Sequence, residues 1–505
     1  MNRKIDFNNY SIERYISDIN TYSLDVVWDE ILSVFNNKTN KFGIISLDNL
    51  GELYEIGLEH INKLDKKEHG KYFTPEDISI LMSKWLCLLG DNTYNICDVC
   101  CGTGNLILKY LELFDYNTVR DIILNNKLYL YDIDLTALKI CKSIIGIIYG
   151  KDVIDHINCI SGDFLCKNIQ LPPKCKVISN PPYSSVKTIN TEWDVNTDPK
   201  ELYSMFMEKI IKTSDYSVII SPYSFIGGEK FYYLRELLNN YNGFIVSFDN
   251  VPGNIFIGRK HGIFNSNTSN SVRASITVLK NKDNIKGFRL TPLIRFKNEE
   301  RKNIINNDIL YNYLSSDYQI VTKENNKYYK CFPTLESLYK KWIDKSNGKT
   351  INKLTIKKGE YTLCIPNTCR YFTVGVKRDL SRTGKYTLLF NDINKYSYVY
   401  CLINSSFCYW YWRLFDGGIT YPKSLLLNIP SLFHILSNND IQYFNEICSD
   451  MIINEEKYLV YKKNAGKDQE NIKFPDEYRE KINNKFLNIL NDNSDLSIIH
   501  KNSIN

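Results

Sequence analysis

Apolar positions along this 505-residue chain change their period twice. Over the first 60 residues Val26, Val27, Ile31, Leu32 and Phe35 recur at helical spacing, which predicts an N-terminal helical segment without recognisable chemistry. From 61 to 285 short apolar runs alternate with helical stretches. The runs at 94–98, 127–131, 176–179, 217–221 and 243–248 are predicted strands, and a last one, 273–280, follows a polar loop rich in Asn and Ser. Such alternation predicts an α/β domain with a mostly parallel sheet and helices on both faces. Beyond 285 it stops. Aromatic-rich pieces at 361–365, 371–376 and 386–390 predict strands of a second, mixed α+β domain spanning 286–431. From 432 to 505 the chain reads as a helical, highly charged segment, notably around 455–463 and 477–485, and ends in a polar tail.

Composition is that of a globular protein, 43% hydrophobic and 24% charged. No stretch approaches the roughly 20 apolar residues of a membrane helix, and the polar N-terminus lacks the apolar segment of a signal peptide. A cytoplasmic protein with no membrane partner is expected. Its 14 cysteines then read as reduced thiols. Cys97 and Cys100 form a CxxC, but no second Cys or His pair follows at zinc-ligand spacing, so they read as small residues beside a strand end and no metal is expected.

The net charge of +6 hides an asymmetry. Between Ile285 and Pro430 there are 24 Lys and Arg against 11 Asp and Glu, while the rest of the chain is net acidic. A basic excess interleaved with Tyr, Trp and Asn suits a phosphate backbone, because neutralised phosphates release counterions. A solvated basic face reads the same way, so charge becomes an argument only beside chemistry.

That chemistry begins at 96–105. Asp98 stands at a strand end, followed by a small-residue turn containing Cys100, Gly102 and Gly104, and Asn105 opens an apolar helix over 106–113. Glycines let backbone approach a ligand closely. The turn is not GxGxxG, and the helix carries no phosphate-gripping Lys early in it, which argues against a nucleotide triphosphate loop. About 30 residues on, the second strand ends at Asp132-Ile133-Asp134. A carboxylate there accepts two hydrogen bonds from a ribose diol. Asp132 is the candidate, and Asp134 reads as the N-cap of the next helix. A third acid, Asp163, precedes Phe164; it could accept from an adenine amino group with the ring alongside. Finally Asn180-Pro181-Pro182-Tyr183 follows the strand at 176–179 directly. Two prolines remove two backbone donors and stiffen the turn, so the Asn180 amide and the carbonyls can be aimed at a fixed point.

The tetrapeptide at 180–183 resembles the Asn/Asp/Ser-Pro-Pro-aromatic motif of amino-methylating DNA methyltransferases, and the Asn form implies adenine N6 as the target. Upstream, Gly70-Lys71-Tyr72-Phe73-Thr74-Pro75 resembles the Gly-x-x-Phe/Tyr-Thr-Pro motif that precedes the glycine turn in the gamma arrangement of that family. The specific motifs cover roughly 61–280. The resemblance implies a Rossmann-like catalytic domain at 61–285 that uses S-adenosylmethionine, with a basic target-recognition domain at 286–431. It implies that Tyr72, Phe73 and Thr74 pack over the methionine end of the cofactor, that the glycine turn with Asp98, Cys100, Gly102, Gly104 and Asn105 cradles it, and that Asp132, Ile133, Asp163, Phe164 and Asn180 complete the site. Read without the resemblance, Thr74 and Pro75 also serve as the N-cap and first-turn residue of a helix at 78–89.

By the same resemblance, the strand ending at Ser221-Pro222 borders the target base, and Phe256 stacks on its far face, with Phe264 as competitor. Asn180 and Pro181 would accept the two amine hydrogens while Tyr183 stacks on an adenine extruded from the duplex. The expected partners are double-stranded DNA and a cognate restriction endonuclease, unless the enzyme is solitary. Two rivals use the same residues differently: methylation of RNA or of a protein glutamine, and an inactive DNA-binding subunit. The basic region and the upstream motif argue against the first, and the intact tetrapeptide with its three acids against the second.

Overall fold

Eight strands form the central sheet: β1 (Asn95–Val99), β2 (Leu128–Asp132), β3 (Asn158–Ser161), β4 (Cys175–Ser179), β5 (Tyr216–Pro222), β6 (Asn242–Phe248), β7 (Ala274–Lys280) and β8 (Gly287–Ile294). The order across the sheet is β8-β6-β7-β5-β4-β1-β2-β3. Strands β3-β2-β1-β4-β5 pair in parallel, and β7 runs antiparallel between β5 and β6. β1 and β4 are wholly or almost wholly buried apolar runs, as strands covered on both faces must be. This computed structural model describes residues 74–185, 200–250, 252–256, 272–280, 287–306, 328–369, 371–418, 420–464 and 467–501, with two-residue strand pairs at 4–5/45–46 and 260–261/264–265. The expected helical positions 26–35 lie outside the described residues.

The register explains where a site can form. Val99 lies opposite Tyr131 on one side and Ser179 on the other, so the turns after β1, β2 and β4 leave the sheet at one edge. Between β1 and β4 the strand order reverses direction. Open α/β sheets bind ligands outside the carboxyl ends at such a switch point.

Helices α1 (Glu76–Cys87), α2 (Asn105–Leu111), α3 (Tyr116–Leu124), α4 (Leu135–Tyr149), α5 (Leu202–Thr213) and α6 (Tyr232–Leu238) bury apolar faces, and a short α7 (Arg301–Asn306) follows β8. α1 turns Ile78, Leu81, Met82, Trp85 and Leu86 inward at helical spacing, and Trp85 meets Phe244 edge to face at 5.4 Å. One sequence expectation shifts here. The helix starts at Glu76 with Pro75 in the capping position and no side-chain cap, so Thr74 does not cap it. The hydroxyl of Thr74 is engaged elsewhere.

By contacts the chain divides into two units, 1–290 with 294–328, and 291–293 with 329–505. The second contains α8 (Glu336–Ser346), β9 (Tyr361–Pro366), β10 (Lys385–Phe390), α9 (Ile393–Ile403), α10 (Ser406–Phe415), α11 (Lys423–Leu427), α12 (Asn438–Ile453), β11 (Leu459–Asn464), β12 (Lys467–Ile472) and α13 (Asp476–Leu490). Its core is aromatic: Trp342 stacks on Trp410 at 6.1 Å, and Tyr398 meets Phe444 and Phe486 edge on.

Two expectations fail in this unit. Residues 371–376 are not a strand. Val376 forms an isolated antiparallel bridge with Cys364 of β9, whereas before it Gly375 N donates to Asn404 Oδ1, Asn404 Nδ2 donates back to Gly375 O, and Thr373 Oγ1 donates to Ile403 O. Residues 455–463 hold a single 3-10 turn at Glu456–Tyr458 and no longer helix, since from Leu459 onward β11 pairs with β12 as an antiparallel hairpin.

Candidate active site

Three turns at the carboxyl edge of the sheet carry most of the expected residues. After β1 the chain bends sharply: Cys100 takes a left-handed φ of 65°, and Cys100 N and Cys101 N both donate to Tyr131 O, at 2.9 and 3.0 Å. Gly102 (φ 51°) and Gly104 (φ 98°) continue the turn. At Gly104 glycine is obligatory on two counts, since a Cβ would lie 2.6 Å from Cys141 Sγ on α4. Asn105 then opens α2 with its amide end facing the edge.

Asp98 sits beneath this turn, fully buried, and its Oδ2 accepts from Ile107 N at 3.2 Å in the first turn of α2. Burial, with Asp132 nearby, holds its carboxyl well above the usual carboxylate range. Its role is to support the turn from below. Burial likewise pushes the thiols of Cys97 and Cys101 well up, which makes them inert packing groups.

Asp132 ties the second turn to the first. Its Oδ2 accepts from Gly102 N at 2.7 Å and its Oδ1 from Asp134 N at 2.9 Å. Asp134 is the N-cap of α4, accepting from Thr136 N and Ala137 N. Between them Ile133 is 68% exposed, a large apolar side chain held out at the edge. The turn thus sets a carboxylate acceptor beside an exposed apolar side chain. After β3, Asp163 closes its own turn by accepting from Leu165 N at 2.9 Å. Phe164 goes inward: it is 3% exposed, stacks on Phe206 at 5.5 Å and meets Tyr131 edge on.

The third turn follows β4, where Ser179 Oγ donates to Val99 O at 2.6 Å and locks the strand end to β1. Asn180 Nδ2 then donates to Thr74 Oγ1 at 2.8 Å. This fixes the amide orientation, with the carbonyl oxygen on the opposite edge. Pro181 is buried and Pro182 half-buried. Tyr183 lies edge to face against Tyr203 at 6.3 Å and against Phe256 at 5.9 Å. Phe256 is therefore close to the tetrapeptide, and Asn254 Oδ1, accepting from Phe256 N, shapes its turn. Tyr72, Phe73 and the side chain of Phe264 lie outside the described residues.

Other residues support these turns without having drawn notice in the sequence. Lys209 of α5, buried on an otherwise apolar face, donates to Phe164 O, Cys166 O and Ile169 O and so holds the loop after β3. A lysine among Tyr203, Phe206, Met207, Ile210 and Ile211 was the available signal. Asp249, just past β6, is buried between Arg273 (3.0 Å) and Arg295 (3.2 Å). It repeats the pattern of an acid at a strand's carboxyl end that singled out Asp132. Arg301, which no local pattern marks, pairs with Asp77.

Among the described residues no group of three or more His, Cys, Asp or Glu is arranged to hold a metal, and no helix is long and apolar enough to cross a membrane.

Residues 45–287 match the family described as N-6 DNA Methylase. The Type II methyltransferase M.VspI of Vibrio sp. (strain 343) is 29% identical over 140 residues, covering 27% of this chain and 30% of that protein. The Type I restriction enzyme MpnII methylase subunit of Mycoplasma pneumoniae is 25% identical over 165 residues, 30% of this chain and 29% of that one. The matched stretches thus span under a third of either relative. Among solved structures, a nuclease-deletion mutant of the Type ISP restriction-modification enzyme LlaGI in complex with a DNA substrate mimic aligns over 87% of this chain and 62% of its own, at 13% identity and a TM-score of 0.47.

Proposed function

We propose that this chain, which belongs to the N-6 DNA methylase family, transfers a methyl group from S-adenosylmethionine to the N6 amine of an adenine extruded from double-stranded DNA. The observation that carries the reading is the Asn180–Thr74 hydrogen bond at the switch point of the sheet. It brings the Asn-Pro-Pro-Tyr turn and the end of the upstream Thr-Pro motif together from 106 residues apart.

The amine of adenine is a poor nucleophile because its lone pair is delocalised into the ring. Hydrogen-bond acceptors on both amine hydrogens draw the nitrogen toward tetrahedral geometry and localise the pair. Asn180 Oδ1 and the Pro181 carbonyl are the acceptors, and the rigid Pro181-Pro182 backbone keeps them aimed. Tyr183 offers aromatic surface to the extruded base, offsetting part of its unstacking cost of a few kcal/mol, and Phe256, 4% exposed, packs against its ring and completes the aromatic wall. Ile133 and Asp132, with the turn from Cys100 to Asn105, would hold the cofactor, which supplies an electrophilic methyl on a sulfonium. Tyr72, Phe73, Asp163 and Phe164 complete this site by resemblance, Phe164 from within the core.

We assign DNA contact to the part of the basic region 286–431 that lies in the second unit, from 329 onward. Exposed Lys353, Lys357 and Lys358 are available to phosphates, whereas Arg378 and Lys385 are engaged with Glu456, Glu470 and Asp379. A cognate endonuclease is the partner this reading implies.

The test is transfer of labelled methyl to unmethylated genomic DNA, with nucleoside analysis and mapping of the modified site. Labelled N6-methyladenine in DNA is the expected product, and Asn180→Ala abolishes it while retaining cofactor binding. Label in RNA or protein instead, or near-normal DNA methylation by Asn180→Ala, overturns the reading.

A further inference from the structure

The residues of the proposed site are linked by a closed circuit of contacts that passes through three residues outside it, Asp77, Arg301 and Asn254. Asn180 bonds to Thr74, and Thr74 leads through Pro75 and Glu76 into the first turn of α1, where Asp77 stands. Arg301 grips Asp77 with a fork, Nε to Oδ2 at 2.6 Å and Nη2 to Oδ1 at 2.8 Å. Its third nitrogen, Nη1, donates to the carbonyl of Asn254. Asn254 in turn accepts from Phe256 N through Oδ1 at 3.1 Å, and the Phe256 ring packs against Tyr183, three residues from Asn180.

We infer that Arg301 is a positioning residue that sets the separation between the two walls of the target-base pocket, the Asn180 acceptor wall and the Phe256 aromatic wall. The inference rests on the adenine-methylating reading above. Its physical basis is the guanidinium itself. Five N–H groups in one rigid plane can satisfy a carboxylate bidentately and still reach a carbonyl on another side, which an ammonium cannot do at fixed geometry. The Arg301 side chain is only 7% exposed, so these bonds are little weakened by water. The Asn254 segment also has its own anchor to the strand that leads to Arg301, since Gly253 N donates to Phe296 O at 2.7 Å and Asp249 N to Ile294 O at 2.8 Å. Arg301 thus joins that anchored loop to α1. Because a 1 Å displacement of positioned groups can cost about 100-fold in rate, a residue that never touches the base governs turnover through it.

The experiment uses the full chain and a duplex carrying its mapped site, with 2-aminopurine at the target adenine for the flipping readout. Arg301→Met is expected to bind S-adenosylmethionine and the duplex within about threefold of wild type, to lose at least about tenfold in kcat, and to lose most of the fluorescence rise of the extruded base. Arg301→Lys, which keeps the charge but not the fork, behaves like Arg301→Met. The double variant Arg301→Met/Phe256→Ala is no slower than the worse single variant, because both act on the same wall. Wild-type kcat in Arg301→Met, full rescue by Lys, or multiplied losses in the double variant each overturn the inference. A wild-type chain that binds cofactor yet methylates no DNA overturns the reading beneath it instead, and Arg301 falls with it.

Discussion

Asn180 donates its side-chain amide to the hydroxyl of Thr74, 2.8 Å away, across 106 residues of chain. The bond leaves the amide oxygen on the opposite edge, which the proposed mechanism uses to accept an amine hydrogen. Thr74→Val removes the acceptor while keeping the shape, so the amide loses its fixed orientation. The expected loss is roughly 10- to 100-fold in kcat, with Thr74→Ser close to wild type. Single-turnover methyl transfer at saturating cofactor measures it, and equal rates for Val and Ser would remove the orienting role.

Two lysines equally buried, and both pushed down to about 8 by burial, differ in the bonds they make and so should respond oppositely to Met. Lys209 donates to three carbonyls, so Lys209→Met strands them and frees the loop carrying Asp163; a loss of about 2–4 kcal/mol and weaker cofactor binding are expected. Lys176 reaches Leu89 O at 3.5 Å and the face of Tyr110, and burial pushes it down to about 8. Its ammonium therefore favours the unfolded chain at neutral pH, and Lys176→Met should be neutral or up to about 2 kcal/mol stabilising. The unfolded value lies near 10.4, so the penalty is complete below about pH 8 and fades as pH rises toward that value. Urea titrations of wild type and Lys176→Met from pH 7 to 10 should show the gap closing; a constant gap would exclude this origin.

Asp249 neutralises two buried arginines at once. Asp249→Asn keeps the size but leaves Arg273 and Arg295 facing each other without a countercharge, which should cost about 3–5 kcal/mol. The measurement is chemical denaturation. A change under about 1 kcal/mol would show that water reaches both guanidinium groups.

The lysines at 353, 357 and 358 are exposed on one stretch of the second unit. If they contact phosphates, replacing all three by Gln lowers the slope of log affinity against log salt by roughly 2–3 and weakens binding evenly across sequences. An unchanged slope would place the phosphate contacts elsewhere.

The sequence by itself determined the parts whose cause is local. Buried parallel strands read as apolar runs, and the acids and glycines at their carboxyl ends read as turns, so β1, β2, β4, β5, β6 and β7 were legible to within a residue or two. Asp134 as a cap and Asn180-Pro181-Pro182-Tyr183 as a stiff turn follow from side-chain and proline chemistry within four residues. Where neighbours distant in sequence decide, the pattern misled. Residues 371–376 look like a strand, but Asn404 and Ile403 take polar groups of Thr373 and Gly375 and leave a lone bridge at Val376, and 455–463 look helical, but from Leu459 onward they pair with 468–472. Only the tertiary structure showed that Asp98 and Phe164 work from inside the core and that Thr74 serves Asn180 rather than its own helix. The same holds for Lys209, Asp249 and Arg301, whose roles depend on partners 24 to 224 residues away. A charged residue's meaning lies in which donors and acceptors it meets, and those meetings are fixed by how strands order in the sheet, which no local spacing encodes.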